Sequence, residues 1–99
     1  MIRRVIVRPL AVEDIASPAT WYEAQSPGLG ADLTDEIIRT IRRAQEAPEF
    51  FRIQRPRDGM RRVLTGRFPY RVFFTVIGDT LHVHAVLHGA QRDKHWRER

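Results

Sequence analysis

The sequence predicts an α+β fold of order β-α-α-β-β-β, with a helical hairpin packed on one face of a mainly antiparallel four-stranded sheet. Three observations carry this prediction. A β-branched run (Ile2, Val5, Ile6, Val7) opens the chain. Two stretches with apolar residues three and four apart follow, separated only by Ser26-Pro27-Gly28. Three segments of strict alternation close it.

Residues 2–8 read as a strand ended by Pro9. Residues 10–25 read as a helix whose inner face is Val12, Ile15, Ala19 and Tyr22. Pro18 lacks the N–H that would bond the Asp14 carbonyl, so a kink or a split is expected near Ser17. The second helix, residues 29–46, carries the stripe Leu29, Leu33, Ile37, Ile41 and Ala44. Its acids Asp32, Asp35 and Glu36 come early and Arg39, Arg42 and Arg43 late, as the helix dipole favours. Asp35–Arg39 and Arg42–Glu46 are spaced to pair. Residues 48–59 read as a connector anchored by Phe50 and Phe51. Residues 60–65, 70–77 and 81–88 read as strands, the last two joined by a tight turn at Gly78-Asp79. The tail around Trp96 suits a short terminal helix.

Ninety-nine residues fit one domain, taken as residues 1–99. The absence of cysteine excludes disulfides, thiolate zinc sites and a cysteine nucleophile. No apolar stretch is long enough for a signal core or a bilayer span, so no membrane partner is expected. The charge is unevenly spread. Residues 1–50 hold six arginines and eight acids, a net of −2, whereas residues 51–99 hold ten arginines, one lysine and four acids, a net of +7. From Arg52 to Arg71 seven arginines face only Asp58. Such a patch seeks phosphate, an acidic peptide or an acidic protein surface.

No phosphate-binding loop, dinucleotide fingerprint, nucleophile elbow or zinc-protease spacing occurs. His82, His84 and His88 would share one strand face by alternation, but the rise of about 3.3 Å per residue puts His88 about 13 Å from His84. That spacing rules out a three-ligand metal site from this strand. His82 and His84 alone read as ordinary sheet-surface histidines, and no metal or cofactor is expected. Asp14 and Glu23 read as members of surface salt bridges. Arg61 and Arg62 are neighbours on one strand, so they face opposite ways and one must snorkel or find a partner.

Taken in order, Asp14-Ile15, Trp21-Tyr22-Glu23, Ser26-Pro27-Gly28-Leu29-Gly30, Pro48, Arg61-Arg62, Phe68-Pro69-Tyr70, Ala85-Val86-Leu87-His88-Gly89 and Trp96 make the sequence specific. Together they resemble the RelE/ParE superfamily of type II toxin–antitoxin toxins, and most closely its ParE-like, plasmid-stabilisation branch. The resemblance implies a cytoplasmic toxin neutralised by a cognate antitoxin whose acidic C-terminal segment covers the basic face. It implies inhibition of DNA gyrase by binding. The alternatives within the superfamily are a ribosome-dependent mRNA endoribonuclease and a non-toxic homologue acting as antitoxin partner or co-repressor.

Under that resemblance Arg61, Arg62, Arg67, Arg71, Arg92 and Trp96 are the expected contacts for target or antitoxin. A ribonuclease would instead use Arg61 or Arg62 on the phosphate and His84 or His88 for proton transfer. The tail after His88 has no tyrosine to match the RelE-like catalytic one. It also departs from the ParE-like His-x-x-Arg-Asp-Pro pattern, with Gln91, Arg92 and Asp93 in the last three positions.

Overall fold

A computed structural model describes residues 1–91 and 93–99. The elements are β1 (Arg4–Val7), α1 (Pro9–Gln25), α2 (Leu29–Glu46), a 3-10 turn (Pro48–Phe50), β2 (Arg52–Arg55), β3 (Met60–Leu64), β4 (Tyr70–Ile77), β5 (Thr80–His88) and α3 (Lys94–Arg97). The strands form one sheet in the order β1-β5-β4-β3-β2. Only the β1–β5 pair is parallel. The fold is therefore the expected α+β arrangement with a helical pair on the sheet and a short C-terminal helix, but the sheet has five strands rather than four. The fifth is β2, inside the expected connector. Arg52-Ile53-Gln54-Arg55 holds one apolar residue in four, so it shows no alternation; it pairs only with β3, at the sheet's edge.

Two further differences concern α1. It is one helix despite Pro18, because its packing against α2 and β5 outweighs a local cost of about 3 kcal/mol. Its innermost residue is Ala11, wholly buried, while Val12 is 50% exposed. The α2 stripe forms as expected, with Leu33, Ile37, Ile41 and Ala44 in the core. The Asp35–Arg39 and Arg42–Glu46 pairs do not form among the described residues.

The hairpin turn is built by three residues. Gly28 takes φ 89°, a left-handed conformation that favours glycine. A Cβ at Gly30 would collide with the Ala19 carbonyl oxygen, so glycine permits the close approach of α1 and α2. The Glu23 carboxylate accepts the N–H groups of Gly28 (2.9 Å) and Gly30 (3.0 Å), satisfying donors at the start of α2.

The core lies on both faces of the sheet. Toward the helices, Val63, Val72, Phe74, Leu81, Val83 and Val86 meet Leu33, Ile37 and Ile41. On the far face, Met60, Phe73, Ala85 and Leu87 are covered by Trp96 of α3. β5 contributes to both faces by alternation, and a bulge exchanges which of its residues face the helices. Phe73 pairs with Ala85 but Phe74 pairs with Val83, leaving His84 as the extra residue. Leu81 and Val83 thus face the helices before the bulge, and Ala85 and Leu87 face away after it. Among the described residues no helix is long and apolar enough to cross a membrane.

Candidate interaction face

The far face of the sheet carries several arginines of the basic second half of the chain. Directly paired residues share a face, so Arg52 and Arg62 lie with Phe73, and Arg71 lies with Leu64 and Leu87. His82 lies with Thr75 on the same face. Among the described residues Arg52, Arg57 and Arg62 form no ion pair.

Helix α3 is fixed onto this face by charge and stacking together. The Trp96 ring, 4% exposed, stacks on Phe73 with centroids 4.9 Å apart and planes 12° apart. The guanidinium groups of Arg55 and Arg97 each lie 5.6 Å from the Trp96 centroid. Arg55 also donates to the Asp58 carboxylate (2.7 Å) and to the Arg97 carbonyl (2.9 Å). Arg71 donates to Asp93 (3.0 Å) and to the Gln91 carbonyl (2.7 Å). The hydrogen bond from Arg71 holds the Asp93 carboxyl below its usual 3.8, and the hydrogen bond from Arg55 does the same for Asp58.

The expected contact residues therefore occupy different settings. Arg62 stands half-buried on the open face. Arg61, on β3, faces the helices and donates to the Phe51 carbonyl (2.7 Å). Arg67 is exposed in the loop between β3 and β4, 3.3 Å from Asp32. Arg71, with 12% of its side chain exposed, and Trp96 are occupied in holding the tail. Arg92 lies outside the described residues.

The bulge also corrects the reading of the histidines. His88 pairs with Tyr70, a helix-facing residue, and their ring centroids are 5.4 Å apart. His82 and His84 lie on the opposite face with centroids 6.3 Å apart, so the three do not share a face. The His84 Nε2 lies 2.8 Å from the Thr75 hydroxyl. Burial, then the charges of Arg8 and His82, lower the His84 pKa from its usual 6.5. Among the described residues no three His, Asp or Glu side chains converge as a metal site.

Three acids have roles that the sequence did not announce. Asp14 is no surface ion pair: its carboxylate accepts the Val86 N–H (3.0 Å) and pairs with Arg99, both side chains being mostly buried. Arg99 further donates to the His84 carbonyl (3.1 Å), so the tail, α1 and the bulge are tied at one point. Glu23 caps α2, as described above. Glu36 reaches from α2 to the N–H groups of Arg67 (3.0 Å) and Phe68 (2.8 Å), fixing the β3–β4 loop. The partners of Asp14 and Glu36 lie 31 to 85 positions away, so local spacing carried no signal of them.

The sequence matches the family described as the ParE toxin of the type II toxin-antitoxin system, parDE, over residues 5–93. A chain from the chromosomal ParDE TA system of P. aeruginosa is similar in fold, with a TM-score of 0.72 at 18% identity, covering 89% of this chain and 96% of that one. No curated protein matches the sequence. With the family matched across nearly the whole chain, the protein belongs to the ParE toxin family of type II toxin–antitoxin systems.

Proposed function

We propose that this protein is a growth-inhibiting toxin that acts in the cytoplasm by binding DNA gyrase and is neutralised by a cognate antitoxin. The antitoxin's acidic C-terminal segment would cover the basic face. The carrying observation is the match to the ParE toxin family over residues 5–93, with a basic surface on which Arg52, Arg57 and Arg62 form no ion pair among the described residues. A binding toxin needs only such a surface. The candidate ribonuclease residues fall as Arg61 with His88 toward the helices and Arg62 with His84 on the far face. In each pair one member is already engaged, Arg61 by the Phe51 carbonyl and His84 by the Thr75 hydroxyl. Arg67 extends the basic surface at the loop, while Arg71 and Trp96 hold α3 in place beside it.

The test is a supercoiling assay with purified gyrase. Micromolar protein is expected to block supercoiling and to accumulate cleaved DNA. No effect at that concentration overturns the gyrase reading. Cleavage of mRNA within translated codons after induction would establish the ribonuclease instead. Unimpaired growth on overexpression without antitoxin would establish the non-toxic homologue. Antitoxin capture is tested separately, by co-purification with the product of the adjacent reading frame.

A further inference from the structure

We propose that His82 and His84, together with the Thr75 hydroxyl, form a binding site for a late divalent transition metal ion on the open face of the sheet. The bulge is what creates the site. It isolates His84 as the residue without a cross-strand partner while keeping it on the face that carries His82 and Thr75. The result is a compact cluster: Thr75 sits directly across from His82 and 2.8 Å from the His84 Nε2. The His82 Nδ1 is shielded from solvent and has no hydrogen-bond partner. A shielded, unpartnered ring nitrogen beside a second imidazole is an unfavourable arrangement for a purely structural pair. A metal ion relieves it by accepting a lone pair from each ring.

The distances permit this. With metal–nitrogen bonds of about 2.0–2.1 Å and about 1.2 Å from nitrogen to ring centre, one ion holds two imidazole centroids at most about 6.5 Å apart. The observed 6.3 Å is at the wide end of that span. A tetrahedral angle at the metal needs the centroids about 5.3 Å apart, so binding draws the two side chains together by about 1 Å through their first side-chain torsions. Two imidazoles favour zinc, nickel or copper over magnesium or calcium. Arg8 and Arg55 are near enough to oppose a cation and Asp58 to favour one, so the affinity belongs in the micromolar range rather than that of a structural zinc site. Two protein nitrogens leave coordination positions open to water or to a carboxylate brought by a partner.

Isothermal titration of the untagged protein with zinc chloride, and with nickel chloride, tests the site. One ion per chain is expected at micromolar concentrations, with selective shifts of the His82 and His84 ring resonances. H82A and H84A should each weaken binding by more than about tenfold, while H88A and H95A leave it unchanged. Circular dichroism establishes that the variants are folded, and His82→Gln supplies a second, polar replacement of similar size. Absence of binding at millimolar metal overturns the proposal. Binding that survives in the H82A/H84A double variant overturns it equally, by placing the ion elsewhere. Gyrase inhibition plays no part in these readouts, so the metal site and the proposed function stand or fall separately.

Discussion

At the residue scale, stability concentrates at positions where one side chain or its absence serves two elements. Gly30 is the clearest. Any side chain there meets the Ala19 carbonyl, which belongs to the backbone of α1 and cannot rotate away. Gly30→Ala should therefore destabilise the protein by about 1–3 kcal/mol even though alanine favours the helix. Urea unfolding should show a lower midpoint with an unchanged slope. Asp14 is the polar counterpart. Asp14→Ala leaves the Arg99 guanidinium and the Val86 N–H without their acceptor in a largely buried setting, at a cost of about 2–4 kcal/mol. Asp14→Asn keeps a hydrogen-bond acceptor and should lose less, as the same unfolding experiment would show. Neither role was legible beforehand. Gly30 reads in sequence as one more turn glycine, and Asp14 as one more surface acid, because each acts on atoms that only the folded chain brings near. Glu23 differs in degree: it lies five and seven residues from the N–H groups it caps, and a capping glutamate supplied by the preceding helix leaves no standard N-cap signature.

At the element scale, legibility follows whether an element has two distinct faces. The α2 stripe was readable because one side of that helix is buried and the other solvated. In α1 the expected Ile15, Ala19 and Tyr22 do lie on the inner side, and only the first member differs, Ala11 being buried in place of Val12, because apolar residues occur on both its faces and leave little contrast. β2 escaped notice because an exposed edge strand need not alternate, and the His84 bulge because alternation continues in sequence while the faces exchange. Helix α3 has only four residues and cannot persist on its own account. It depends on Trp96 and on the ion pairs of Arg71 and Arg55. Trp96→Ala should cost about 2–4 kcal/mol and expose the far-face cluster of Met60, Phe73 and Leu87. The ion pairs predict acid sensitivity. Asp93 and Asp58 have carboxyl pKa values below 3.8 in the folded state. Their contribution is thus fully present above that ordinary value and is lost as pH falls through the lowered one. In a Trp21→Phe background, where Trp96 is the remaining tryptophan, acid titration should show its fluorescence becoming solvent-like in that window. Asp93→Asn should remove the Asp93 part of this transition and loosen α3 already at neutral pH.

At the scale of the whole molecule, the sequence divides into a basic half and a mildly acidic half, and the fold places much of the basic half on one face. The net +7 of residues 51–99 does not measure what that face offers a partner. Arg55 and Arg71 are paired internally and hold the tail, and Arg61 is tied to the Phe51 carbonyl. Arg52, Arg57 and Arg62 form no ion pair among the described residues. Charge reversal should separate these two classes. Arg62→Glu removes an unpaired cation and adds an opposing charge, so stability should change by less than about 1 kcal/mol. Its affinity for the co-purifying acidic partner should fall by tenfold or more, chiefly through slower association. Arg71→Glu places a carboxylate against Asp93 and the Gln91 carbonyl, so it should lower the melting temperature before any partner is added. Surface plasmon resonance at rising salt supplies the remaining discrimination. Screening should weaken wild-type binding steeply and Arg62→Glu binding less, because the variant has already lost part of the long-range attraction. If both proteins respond equally to salt, the partner does not meet the open face, and the attraction must come from Arg67 or another part of the surface.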